Sequence, residues 1–139
     1  MASKAQFTGM TGSFLVAAQL SARNLVASST SRSAAGADIL VTDENCLVAF
    51  SVQVKTNSKS AGFWILGKKE PTAGSKSHIY AFVNLGKDKN GDITGDYYLV
   101  PSTVIKKIAR YGGDSWQNYS VYREDIAKYK NNWAIFDAS

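Results

Sequence analysis

The first regular pattern along the chain is helical. Over residues 12–25 the apolar side chains Leu15, Ala18, Ala22 and Leu25 recur at spacings of 3, 4 and 3, which puts them on one helix face. Thr11 stands where an N-cap would, and residues 1–8 read as a loose leader. Residues 28–36 are polar, rich in Ser and Ala, and read as a loop. Alternation then takes over. Residues 37–42 (ADILVT) form a strand, with Thr42-Asp43-Glu44-Asn45 as the turn after it. Residues 47–55 (LVAFSVQVK) alternate throughout: Val48, Phe50, Val52 and Val54 face a core, while Ala49, Ser51, Gln53 and Lys55 face the other way.

Residues 63–66 and 79–85 (IYAFVNL) are apolar runs of strand length. The connection over residues 88–95 (DKNGDITG) carries Asn90-Gly91, a strong hairpin signal, and leads to a strand at residues 97–100. Pro101 ends that strand. Ser102 is placed to cap a helix through Val104, Ile105, Ile108 and Ala109, which stops near Gly112-Gly113. Over residues 124–136, the 3, 4, 3 spacing of Ile126, Tyr129, Trp133 and Phe136 predicts a terminal amphipathic helix. The order is one helix, four or five strands and two helices, which predicts an α/β (α+β) domain built on a mixed sheet. A length of 139 residues suits a single domain, with its core over residues 12–136.

Composition narrows the class. A hydrophobic fraction of 45% and a charged fraction of 19% are those of a globular chain. No stretch approaches the roughly 18 apolar residues of a membrane span. Met1 to Thr8 has no apolar signal core, so a cytoplasmic protein is the expectation. With one cysteine no internal disulfide can form, and Cys46, beside Leu47 and Val48, reads as a half-buried structural thiol. Sixteen Lys and Arg against eleven Asp and Glu leave a net charge of +5, which admits a polyanionic partner.

Several motif matches fail on chemistry. GFWILGK over residues 62–68 has P-loop spacing, but Lys69 stands where a magnesium-binding Ser or Thr is needed, and the intervening residues are bulky and apolar. A calcium loop starting at Asp88 would need Gly and Glu where Ile93 and Leu99 stand. His78 is the single histidine, at the predicted start of a strand, so His-based zinc sites and Ser–His or Cys–His catalysis have little to build on.

The remaining constellation is Asp38 with Gln53 and Lys55. Asp38 opens an apolar strand, an unusual place for a carboxylate unless it faces a site or caps a turn. Gln53 and Lys55 share a face of the next strand, and pairing the two strands as a hairpin would converge all three at one end of the sheet. That set suits phosphodiester chemistry: Asp38 and the Gln53 amide oxygen as ligands of a hard cation, Lys55 offsetting charge on phosphate oxygens. The bland alternative is a loop cap and an exposed polar sheet face without a ligand.

On these residues the chain resembles the PD-(D/E)XK nuclease superfamily, with its restriction-endonuclease-like fold. The likeness is to small bacterial members with a QVK form of the motif. It is carried by Gly12 opening a helix, by GADILV at residues 36–41 and by QVKT at residues 53–56. Downstream it continues in FWILGKK, YAFVNL, YYLVPS and NNW, over residues 12–136. The resemblance implies a four-stranded mixed sheet flanked by helices, with Asp38, Gln53 and Lys55 in the nuclease positions and Mg²⁺ or Mn²⁺ as cofactor. Some members add a glutamate from the first helix; here Ser13 stands there, and Gln19 is not acidic either. With Asp38 as the lone carboxylate, the metal would bind weakly without nucleic acid. Asp43 or Glu44 would help only if their turn folded back.

Two function classes follow: a metal-dependent endonuclease acting on DNA in preference to RNA, or a catalytically inactive nuclease-fold module holding nucleic acid or a protein partner. A third, weaker class is an interaction or immunity-type protein with no nucleic-acid role. Lys59, Lys68, Lys69, Lys106 and Arg110 are the expected phosphate contacts, with Lys76 and Lys107 nearby and Lys106 and Arg110 read as one helix face. Of the three tryptophans that could stack bases, Trp64 and Trp133 read as core, which leaves Trp116, in a Gly-rich and polar stretch, as the candidate. A homodimer would suit a small nuclease that must address two strands.

Overall fold

The structure, a computed structural model, describes residues 3–31 and 37–137. It is a mixed α/β protein. The described elements run α1 (Lys4–Ser21), β1 (Leu25–Ser29), β2 (Ile39–Asp43), β3 (Ala49–Asn57), β4 (Phe63–Gly67), β5 (His78–Lys87), β6 (Ile93–Pro101), α2 (Ser102–Ile108), β7 (Arg110–Tyr111) and β8 (Tyr119–Tyr122). Three short 3-10 turns then follow, from Arg123 to Phe136. None of the described helices is long and apolar enough to cross a membrane.

A five-stranded sheet in the order β1-β2-β3-β5-β6 forms the centre, and β4-β8-β7 form a second, three-stranded sheet. Within the large sheet β1 pairs antiparallel with β2, and β2 antiparallel with β3. β3 lies parallel to β5, with Gln53 beside Tyr80, and β5 returns antiparallel as β6. The parallel pair requires a crossover, and residues 58–77 make it over one face of the sheet, contributing β4 on the way.

The two faces of the sheet carry separate cores. On one, α1 lays Val16 and Leu20 over Ile39, Val41, Val52, Ile79, Ala81, Val83 and Leu99, and Trp133 and Phe136 close the end. On the other, Phe82, Tyr98 and Val100 meet Trp64, Val121, Ile105 and Ile126. β5 is buried on both sides, which explains its unbroken apolar run. Asn84, 2% exposed, is the polar exception. It accepts from Asn57 and donates to the Ala61 carbonyl, fastening the crossover to the sheet.

Several expectations are corrected. Residues 4–8 of the predicted loose leader are the first part of α1, held by a capping box in which Ser3 and Gln6 satisfy each other's backbone N–H groups, and residues 1–2 lie outside the described residues. The helix stops at Ser21; Leu25 opens β1, and Ser28 and Ser29 are strand where the pattern predicts loop. Residues 32–36 of that predicted loop lie outside the described residues. Ser102 caps no helix: its hydroxyl donates to the Ser75 carbonyl and accepts the Ser75 N–H, leaving Pro101 at the cap position. α2 ends at Ile108, well before the paired glycines, because the chain turns extended and pairs as β7. The terminal helix is three 3-10 turns; their apolar residues bury as expected, but positive φ at Asn131 interrupts the α-helical path. Cys46 is exposed on a left-handed turn residue (φ 56°), not half-buried. The Asn90-Gly91 hairpin stands as read, with Gly91 at φ 84° and the Asp88 carboxylate accepting from Asn90 and Asp92.

Candidate functional site

β2 and β3 pair antiparallel, with Ile39 opposite Val52, so Asp38 stands at the strand end level with Gln53. Its N–H donates to the Val52 carbonyl at 2.8 Å. Its carboxylate accepts the Val54 N–H at 2.7 Å. The side chain thus completes the ladder where β2 runs out, and sits on the peptide between Gln53 and Lys55. In this sense Asp38 is a cap, the structural role weighed from the sequence, and one carboxylate oxygen is committed to it.

Asp38 also lines a hollow of about 440 Å³ beneath α1, with Gln6, Met10, Ser13, Phe14, Thr30 and Val54. Ser13 therefore comes to the Asp38 end of the sheet. Gly12 makes this approach possible. A Cβ there would overlap Thr56 Oγ1, so α1 seats against β3 only because residue 12 has none.

Gln53 opens elsewhere. It lines a cleft of about 410 Å³ on the face that carries α2, with Leu66, Lys69, Glu70, His78, Tyr80 and Ile105 among its walls. Among the described residues no hydrogen bond joins Gln53 to Asp38. Lys55 is half-buried beside Phe82 in register. Burial pushes its ammonium below the ordinary lysine value, and the negative charge of Asp38 partly restores it. Asp38 and Lys55 are thus electrostatically coupled, while Gln53 faces a separate cavity.

The sign of the Lys55 shift gives a test. Below its folded value the charged amine carries a desolvation penalty that the unfolded chain does not. From there up to the ordinary 10.5, the unfolded chain holds more protons and stability rises with pH. Lys55→Met is therefore expected to raise the urea midpoint at neutral pH, with the gain shrinking as pH approaches 10.5. Urea melts of both proteins across that range check it; a gain that grows with pH would contradict the assignment.

Asp43 and Glu44 do not join the site. They lie at and beyond the far end of β2, which rises about 3.3 Å per residue. The Asp43 carboxylate accepts the Leu47 and Val48 N–H groups at 2.7 and 3.0 Å, and the Val48 bond leads in holding it below the ordinary carboxylate value. Among the described residues no group of three or more His, Cys, Asp or Glu converges. A divalent cation would find at Asp38 one carboxylate, already partly spent, and no second protein oxygen from Gln53 in the same hollow. That donor set does not fit a magnesium centre built by the protein.

The cations predicted to meet phosphate come from separate segments: Lys59 after β3, Lys68 and Lys69 after β4, Lys106 on α2 and Arg110 on β7. Lys59, Lys68, Lys69 and Lys106 are exposed. Arg110 is corrected: it lies on β7, not on the α2 face with Lys106, and it is engaged with Glu124 and Asp125 at 2.8 Å each. Sequence reasoning missed His78 and Tyr80 as cleft residues. His78 does open a strand, β5, and its Nδ1 lies 2.7 Å from Ser51 Oγ. Burial lowers the imidazole, with hydrogen bonding to Ser51 opposing, and burial raises the Tyr80 phenol, so both stay neutral near pH 7. The signal that could have found them is the parallel pairing of their strand with β3, which no local pattern displays. No protein-family model matches the chain, and no curated protein matches it.

Proposed function

We propose that this protein is a nucleic-acid-binding module on a restriction-endonuclease-like scaffold, one in which the Asp38, Gln53 and Lys55 set has ceased to be a complete hydrolytic centre. The observation that carries this reading is the separation of Asp38 and Gln53 into two cavities, with Asp38 spent on the Val54 N–H and Gln53 opening on the other face. The order α1, three antiparallel strands, then a strand parallel to the third supports the scaffold. The net charge of +5 and the exposed lysines supply attraction to phosphate.

A second reading keeps catalysis. It is favoured by the coupling of Lys55 to Asp38, the pair that a metal-dependent nuclease would use with Mg²⁺ or Mn²⁺ held jointly by protein and substrate phosphates.

One experiment addresses both. Binding of labelled DNA and RNA, single- and double-stranded, is measured by anisotropy across a salt series, and cleavage is followed with Mg²⁺ and Mn²⁺ for the wild type and Lys55→Ala. The expected result is salt-sensitive binding whose log–log slope falls by about 1 on removing a phosphate-contacting lysine, with no cleavage that Lys55→Ala abolishes. Cleavage lost in Lys55→Ala establishes the second reading. Absence of salt-sensitive binding to every nucleic acid overturns the proposal.

A further inference from the structure

The cleft that takes Gln53 is walled on purpose. Its outer side is the strap over residues 69–74, and the strap is latched to the start of α2 by the reciprocal pair of Ser75–Ser102 hydrogen bonds, at 2.8 and 2.9 Å. Gly74, in the left-handed region at φ 77°, lies so close to the Ser102 backbone that a Cβ would collide with it. The cavity is therefore fixed by a buried serine, 3% exposed, and a glycine that no other residue can replace without displacing the strap.

Its lining has two characters. Leu66, Pro71 and Ile105 are apolar and face a polar floor of Gln53, His78 and Tyr80. Tyr80 is held upright by near-parallel stacking on Phe82, at 5.7 Å and 12°, and by the edge of His78 at 5.4 Å. Among the described residues nothing takes up the Gln53 amide. Lys69 and Glu70, one charge of each sign, also line the cleft. A cleft with apolar walls, an uncharged polar floor and a free carboxamide is suited to a flat, polar, uncharged ring. Its volume of about 410 Å³ is in the range of small-ligand pockets.

We infer that this cleft receives one unpaired nucleobase, adenine foremost, with Gln53 reading its edge and Lys69 holding the adjoining backbone phosphate. A carboxamide offers one donor and one acceptor side by side, the complement of the adenine N7 and 6-amino pair. A base reaches such a pocket from single strands, loops or a flipped position, with apolar groups against its faces. Gln53 is then a specificity-determining residue, which gives a reason for it to face away from Asp38. This inference rests on the nucleic-acid reading above and names the part of the ligand that is recognised.

The test compares oligo(dA), oligo(dT), oligo(dC) and a duplex by anisotropy, for wild type, Gln53→Ala, Tyr80→Phe and Lys69→Ala, each confirmed folded by its melting transition. The wild type is expected to prefer oligo(dA) over the other single strands and over duplex by about tenfold. Gln53→Ala should erase the preference while keeping the salt slope. Lys69→Ala should weaken all ligands alike and lower the slope by about 1. Tyr80→Phe reads the cleft without altering Gln53, and a shift in base preference there supports the site if Gln53→Ala fails to fold. If the wild type binds without base preference, or both cleft variants keep its preference, the inference falls and nucleic-acid binding stands. If the wild type binds nothing, both fall.

Discussion

Trp64→Ala is expected to cost about 3–5 kcal/mol, a large part of the roughly 5–15 kcal/mol that holds a domain folded. Trp64 is 1% exposed and heads the largest fully buried side chains. It sits on β4, yet its indole N–H donates to the Val83 carbonyl of β5 at 3.0 Å, and its ring packs on Phe82 and Tyr98 at 5.3 and 5.6 Å. One side chain thus pins the small sheet to the large one. Removing it leaves a cavity between two layers that cannot collapse without moving the β4–β8 pair. Trp64→Phe keeps part of the packing and loses the hydrogen bond, for about 1–2 kcal/mol. Guanidinium unfolding gives both numbers. A loss below about 1 kcal/mol for the alanine variant would mean that the two sheets are not locked at this point.

The second large effect is a coupling between helix and sheet. Gly12→Ala improves helix propensity by about 1 kcal/mol but forces a methyl group onto Thr56 Oγ1, and overpacking of this kind costs about 1–3 kcal/mol. Thr56 is itself awkward: its hydroxyl is buried and finds no hydrogen-bond partner among the described residues. Thr56→Ala removes the nearest obstructing atoms, Oγ1 and Cγ2, and with them the unsatisfied oxygen, but leaves its Cβ 2.8 Å from the added methyl group; alone it should be near neutral. The double variant should recover part of the Gly12→Ala loss, with an interaction energy of about 1 kcal/mol in a double-mutant cycle of unfolding midpoints. Strict additivity would show that α1 does not rest on Thr56. The same contact sets the distance of Ser13 from Asp38, so a displaced α1 would also widen the hollow beneath the helix.

Much of this architecture was present as pattern. The alternation of residues 47–55 separates Val52 and Val54, which pack towards α1, from Gln53, which opens on the opposite face. The β5 run, the β5–β6 hairpin and the burial of Trp64 and Trp133 are likewise local in origin. They rest on side-chain period, turn chemistry and hydrophobicity, properties that a short window carries in full.

What lay beyond the sequence depends on partners distant along the chain. Residues 63–66 read correctly as a strand, but their place in a second sheet depends on β8, almost sixty residues later and too short to declare itself. Arg110 has helical spacing from Lys106, yet pairing with β8 and two carboxylates on the following turn draw it into β7. The final segment has helical apolar spacing but packs as 3-10 turns, because the surfaces of β6 and the core dictate where Trp133 and Phe136 must go. The candidate site shows the same division. Asp38, Gln53 and Lys55 were legible as unusual residues on neighbouring strands. Alternation sets the face of Gln53, but the cavities that Asp38 and Gln53 line were built by the seating of α1 on Gly12 and by the latching of the crossover strap to Ser102, long-range packing events whose energies no local periodicity encodes.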